Sequence, residues 1–177
     1  MILYTERLIL RPWQESDADI LYLHARDPEI GLRCGWMPHT SRENSLEVIR
    51  TVLARPNCWA ITRKASGVLI GSVSLMRGEA GHAPLSDTEG EIGYWIARPH
   101  WGKGYACEAA QRIIRYAFGE LSCTALWCGY FDGNVQSRRV GEKCGFTYHH
   151  TNPLEFISQL GCHKIVHYTK LCAPNKT

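Results

Sequence analysis

The stretch that most restricts what this chain can fold into runs from Glu89 to Phe131. Glu89 to Arg98 carries Ile, Tyr and Trp residues suited to a pleated sheet and stops at Pro99, which cannot donate to a ladder. Ala106 to Leu121 places Ala109, Ala110, Ile113, Ile114 and Ala117 on one helical face, and Ala125 to Phe131 reads as another strand. Between strand and helix stands Trp101-Gly102-Lys103-Gly104-Tyr105-Ala106, so two glycines free the backbone where the helix opens. A helix N-terminus carries unsatisfied N–H donors and roughly half a positive charge, which makes such a turn a seat for an anion, with Lys103 at its rim. The order strand, glycine turn, helix, strand therefore predicts a mixed α/β (α+β) domain with a phosphate-binding candidate.

Two familiar phosphate loops are excluded by the same residues. A P-loop needs Ser or Thr after Gly-Lys, and here Gly104 follows Lys103; a dinucleotide turn needs a third glycine and an acidic residue about 20 positions on.

The remaining pattern predicts about seven strands and about four helices in a single domain over residues 1–177. Leu3 to Leu10 reads as a first strand closed by Arg11-Pro12, and Ser16 caps a helix that Asp27-Pro28 stops. Gly31 to Thr40 has no period and reads as a loop bearing Trp36, after which Ser41 caps a helix to about Ala54. Trp59–Arg63 and Val68–Leu75 form a hairpin across Lys64-Ala65-Ser66-Gly67, and Gly78 to Ser86 is a polar loop. Asn134 to Cys144 is a short helix ended by Gly145, and Phe146–His149 and Cys162–Lys170 are the last strands.

Composition narrows the class of function. With 45% hydrophobic and 21% charged residues the chain has the make-up of an ordinary globular domain. A formal charge of +3, with basic residues scattered rather than clustered, argues against nucleic acid. No run approaches the roughly 18 apolar residues of a membrane helix. The eight cysteines include no Cys-x-x-Cys pair, so reduced thiols in a cytoplasmic protein are expected. His163 and His167 stand four apart on a strand, and His149-His150 are adjacent; neither spacing makes a metal site, and none is expected.

In this setting Trp101-Gly102-Lys103-Gly104-Tyr105-Ala106 resembles the Arg/Gln-x-x-Gly-x-Gly/Ala turn of the GNAT acetyltransferases, Trp101 departing from the usual first residue. Thr5-Glu6-Arg7-Leu8-Ile9-Leu10-Arg11-Pro12, Glu91-Ile92-Gly93-Tyr94-Trp95 and Glu142-Lys143-Cys144-Gly145-Phe146 resemble the branch of ribosomal-protein alanine N-acetyltransferases (RimJ/RimL). The resemblance runs from about Thr5 to Lys170. It implies acetyl-CoA as co-substrate, no metal, and a mostly antiparallel sheet whose fourth and fifth strands splay apart to admit pantetheine.

It also implies roles. Ile96, Ala97, Trp101, Gly102, Lys103, Gly104, Tyr105 and Ala106 would bind the cofactor, with a backbone N–H near Ile96 or Ala97 polarising the thioester carbonyl. Asn134 and Ser137 match an Asn-x-x-Ser pattern in which Asn134 meets the pantetheine amide and Ser137 faces the sulfur. The family's tyrosine acid, seven residues after that asparagine, is Gly141 here, so Ser137 becomes the donor to the thiolate. An amine attacks a thioester only when neutral, which calls for a proton acceptor. Glu91 is the candidate base and Glu89, two residues earlier on the same strand face, its competitor. Trp36 and Glu89 are the substrate-side candidates.

The expected reaction is direct transfer of an acetyl group to a primary amine, a protein N-terminus or a small molecule. A non-catalytic acyl-CoA sensor is the alternative. The partners expected are acetyl-CoA and an amine acceptor, without nucleic acid or membrane, and a homodimer is left open.

Overall fold

The computed structural model describes residues 1–78, 83 and 85–174, and they hold eight strands and five α-helices, against the seven and four expected. They fall into two compact units, Met1–Ser74 with Tyr94–Ala109 and Leu75–Gly93 with Ala110–Thr177.

In the first unit, β1 (Leu3–Tyr4) and β2 (Leu8–Arg11) form a hairpin where one strand was expected, because Thr5 turns the chain. The Thr5 N–H donates to the Leu8 carbonyl at 3.0 Å, and the Thr5 hydroxyl oxygen accepts the Leu8 N–H at 2.8 Å. β2 pairs antiparallel with β3 (Cys58–Arg63), which pairs with β4 (Leu69–Met76) across the anticipated Lys64–Gly67 turn. Leu8 and Leu10 are fully buried while Ile9 and Arg11 are only partly so, which is the period-two signature of a sheet with one covered face. Each such leucine contributes about 1.5–3 kcal/mol by leaving water.

The helices of this unit depart from expectation in instructive ways. α1 (Ala18–Ala25) is entered through a 3-10 turn at Glu15–Asp17, where the Asp17 carboxylate accepts the Gln14 N–H; Ser16 is not the cap. Asp27-Pro28 does stop that helix, but it also starts the next. Asp27 accepts the Glu29 N–H and Pro28 opens α2 (Pro28–Cys34), so the first four residues of the expected Gly31–Thr40 loop are helix. α3 (Arg42–Val48) is capped by Ser41 and widens into a π-turn at Ile49–Leu53. Trp13, Leu21, Ile49, Cys58 and Leu69 form the core, with Trp36 and Trp95 packed against it.

β5 (Glu89–Ile96) and α4 (Tyr105–Gly119) contribute to both units. Within the first, the Ala97 N–H donates to the Ile70 carbonyl at 2.7 Å, and a Cβ on Gly71 would lie 2.2 Å from the Trp95 carbonyl oxygen, so only glycine allows β4 and β5 to approach.

In the second unit β5 runs parallel to β6 (Ala125–Phe131), and β6, β8 (Cys162–Cys172) and β7 (Thr147–Ile157) follow antiparallel. The β5–β6 ladder spans Glu89↔Ala125 to Glu91↔Trp127, whereas β6 pairs with β8 all the way to Phe131↔Val166. β7 is far longer than the expected Phe146–His149. Register shifts at Tyr148/His150 and at Asn152/Glu155, where Pro153 sits, interrupt the alternation without ending the strand. α5 (Val135–Lys143) is capped by Asn134.

Candidate active site

The glycine turn belongs to the first unit and is built by its neighbours. After β5, Arg98–His100 makes a 3-10 turn, and the Trp101 indole N–H donates back to the Ile96 carbonyl at 2.5 Å. Trp101 thereby fastens the turn to the strand end. Gly102 and Gly104 take φ +73° and +79°, and α4 starts at Tyr105. The Gly104 carbonyl accepts the Glu108 N–H at 3.0 Å; among the described residues the N–H groups of Gly102, Lys103, Gly104, Tyr105 and Ala106 donate to no carbonyl outside the helix. These are the donors an anion requires.

Cations surround the turn. Arg7 stacks over the Tyr105 ring at 4.7 Å and Arg33 over the Trp101 ring at 5.8 Å. The His100 imidazole is held below its ordinary pKa by burial first and then by the charges of Lys103, Arg63 and His24. The Lys103 ammonium donates to the Pro99 carbonyl at 2.9 Å, so its charge lies at the turn.

Of the two backbone donors expected at the end of β5, Ala97 is committed to Ile70 in the sheet. Successive N–H groups of extended backbone point to opposite edges, which leaves Ile96 as the donor facing the other side.

In the second unit Glu91 is 4% exposed, and its Oε2 accepts the Ala83 N–H at 3.0 Å. Its Oε1 would lie 3.6 Å from a Cβ on Gly129, an ordinary contact distance. Trp127 is its register partner on β6, and the Tyr168 ring borders the same Gly129 position. The Tyr168 phenol donates to Glu155 at 3.0 Å; burial first, then that bond and the charges of Glu155 and Glu91, push its pKa far up and keep it protonated.

Glu89 is held differently. Burial pushes its pKa up, but the bonds from Lys170 at 2.7 Å and the Trp127 indole at 3.0 Å prevail and hold it below the usual carboxylate range. It is an anion fastened at both oxygens, a poorer proton acceptor than its sequence position suggests.

Asn134 caps α5, its Oδ1 accepting the Ser137 N–H at 3.2 Å, and Ser137 is half-buried one turn in. Gly141 faces Phe146 and Thr169, each 3.9 Å from where its Cβ would be. Trp36 packs edge-on to Trp95 at 6.4 Å and tilts against His39 at 5.3 Å. In the other expected acceptor loop, residues 79–82 and 84, Glu79 among them, lie outside the described residues.

Sequence reading missed Arg7 and Glu108. The Glu108 carboxylate, in the first turn of α4, accepts from the Thr5 hydroxyl, the Arg7 N–H and the Arg7 guanidinium. The one available signal was the Thr5-Glu6-Arg7 motif itself, 101 residues away in sequence from Glu108.

The chain is similar to known proteins along most of its length. Residues 7–147 match the model of the acetyltransferase (GNAT) domain, a span that runs through both units. A protein of Bacillus licheniformis named as an uncharacterized N-acetyltransferase, p20, is 35% identical over 127 residues, 68% of this chain and 67% of that protein. Among solved structures, a GNAT-family acetyltransferase from Bacillus anthracis superimposes with a TM-score of 0.84 at 19% identity, covering 97% of this chain and 98% of that one. RimL, a ribosomal L7/L12 α-N-protein acetyltransferase solved with coenzyme A, gives a TM-score of 0.78 at 18% identity, covering 98% of each chain. At those identities the superpositions establish the fold. The match over residues 7–147, together with the identity to p20, makes this chain a member of the GNAT acetyltransferase family.

Proposed function

We propose that this enzyme moves an acetyl group from acetyl-CoA to a primary amine, on a protein N-terminus or a small molecule, by direct attack of the amine on the thioester. The observation that carries this reading is the turn at Gly102–Gly104, whose outward N–H groups open a 15-residue helix amid Arg7, Arg33 and Lys103. RimL, of the same fold, was solved with coenzyme A, which supports the choice of anion.

In this reading Gly102 to Ala106 receive the diphosphate, with Trp101 and Lys103 bracing the turn. Asn134 bonds the pantetheine amide with its amide nitrogen, its oxygen being spent on the helix cap. The Ile96 N–H stabilises the oxyanion that forms as nitrogen adds to the carbonyl carbon. Glu91 takes the proton from the attacking amine through a water, and its burial keeps competing solvent from it. Ser137 donates to the departing thiolate. Glu89, held as an anion by Lys170 and Trp127, shapes the charge of the acceptor side rather than accepting the proton. Trp36 contributes an apolar wall for the acceptor.

Thiol release from acetyl-CoA, assayed over a panel of amines and N-terminal peptides with CoA binding as a parallel readout, tests this. Release that depends on one acceptor class supports it and names that class; tight CoA binding with no release from any acceptor supports the acyl-CoA sensor instead.

A further inference from the structure

Arg7 makes more contacts than surface charge requires. Its Nε donates to Glu108 Oε2 at 2.6 Å, its backbone N–H donates to Glu108 Oε1 at 2.8 Å, and its Nη1 donates to the Lys103 carbonyl at 3.0 Å. The Thr5 hydroxyl donates to the same Glu108 Oε1 at 2.6 Å, and Nη2 lies 3.5 Å from where a Gly104 Cβ would be. The β1–β2 loop is thus tied to the middle of the glycine turn and to the helix that follows it, within one compact unit.

We propose that Arg7 is a positioning residue for cofactor binding, orienting the Lys103–Gly104 peptide and screening Glu108 so that the turn can accept a diphosphate; this rests on reading the turn as the diphosphate seat. The peptide is planar and trans, so its C=O and N–H point in opposite directions. By holding the Lys103 carbonyl, the guanidinium aims the Gly104 N–H away from itself, and among the described residues that N–H donates to no backbone carbonyl outside the helix. Without that bond the 103–104 peptide, which ends on a glycine, is free to rotate about ψ of Lys103 and φ of Gly104 and present its carbonyl to the anion.

The second effect is electrostatic. Glu108 is an acid in the first turn of α4, good for the helix dipole but repulsive to a bound phosphate. Burial pushes its pKa up, and the bonds from the Thr5 hydroxyl and from the Arg7 N–H and guanidinium override this and hold it below the usual range. Glu108 therefore stays ionised, and Arg7 is the cation that offsets it next to the ligand.

The test compares CoA with pantetheine, which shares the thiol arm but lacks the diphosphate, as measured by saturation-transfer NMR on the full chain. Arg7→Ala should raise the Kd for CoA about 10- to 100-fold, the loss expected for one or two charge-assisted bonds, and leave that for pantetheine within about twofold. Arg7→Lys keeps the cation but has no fork to span Lys103 and Glu108, and should show a partial loss for CoA alone; it also carries the test if Arg7→Ala does not fold. Arg42→Ala, which breaks the exposed pair with Asp19, should change neither value. Equal weakening of both ligands, or unchanged CoA binding, overturns the positioning role. A wild-type protein that binds CoA no more tightly than pantetheine overturns the diphosphate seat itself, and the Arg7 role with it.

Discussion

Replacing Gly102 by alanine separates what the turn does for the fold from what it does for the ligand. Gly102 has φ +73° and no heavy atom within 4 Å of where a Cβ would stand, so the substitution adds no clash and costs only the left-handed backbone, about 1–2 kcal/mol. In a chain of 177 residues that corresponds to a fall in Tm of about 2–8 °C. Gly67, in the β3–β4 turn, has φ +66° and equally empty surroundings, so Gly67→Ala costs the same and serves as the matched control. The variants part company at the ligand. Relief of the strain at position 102 swings the flanking N–H groups out of alignment, and losing one anion bond at about 1.5–3 kcal/mol weakens CoA binding by roughly 10- to 100-fold. Differential scanning fluorimetry gives both Tm values, and titration calorimetry with CoA gives the two Kd values. Equal CoA affinities in Gly102→Ala and Gly67→Ala would refute the assignment of the turn to the cofactor.

Other consequences are equally direct. Glu91→Gln should cut turnover by about 10²-fold or more at neutral pH with CoA binding unchanged, since general bases contribute on that order; unaltered turnover would leave the proton to water alone. Ser137→Ala should lower kcat and spare CoA affinity, and an unchanged kcat would remove Ser137 from the leaving-group step. Asn134→Ser keeps a helix cap and loses the amide donor, so it should weaken CoA binding with little loss of stability; retention of full affinity would limit Asn134 to capping. Gly71→Ala drives a Cβ to 2.2 Å from the Trp95 carbonyl and should cost about 3 kcal/mol or more, read as a large drop in the urea midpoint.

Stability should also fall on mild acidification. His24, His39 and His100 all have folded pKa values lowered first by burial. The unfolded chain therefore takes up protons at these sites before the folded one, and stability is lost as pH drops below about 6.5. His39→Gln should flatten the dependence between pH 7 and 5.5; a wild-type midpoint that rises over that interval would contradict the burial of these rings.

Much of this was legible in the residues. The strand, glycine turn, helix and strand from Glu89 to Phe131 stand where the pattern put them because each element is punctuated locally, by Pro99, by Gly102 and Gly104, and by the apolar face of α4. Local punctuation misled where it carried two meanings. Asp27-Pro28 both ends α1 and begins α2, and β7 runs on past the expected end at His149 by absorbing Pro153 in an irregular register. Nothing local could show that Ala97 spends its N–H on Ile70, that Lys170 and Trp127 fasten Glu89, or that Arg7 reaches Glu108 and Lys103. Those are long-range pairings, and they decide which of the residue types suited to the chemistry remain available for it.

The central claim meets its most direct trial in a single assay, thiol release from acetyl-CoA by the purified protein with and without a panel of primary amines and N-terminal peptides. Amine-dependent release, with product carrying one acetyl group per thiol freed, is the predicted result. Absence of release from every acceptor, in a folded protein that also fails to bind CoA, would contradict the account.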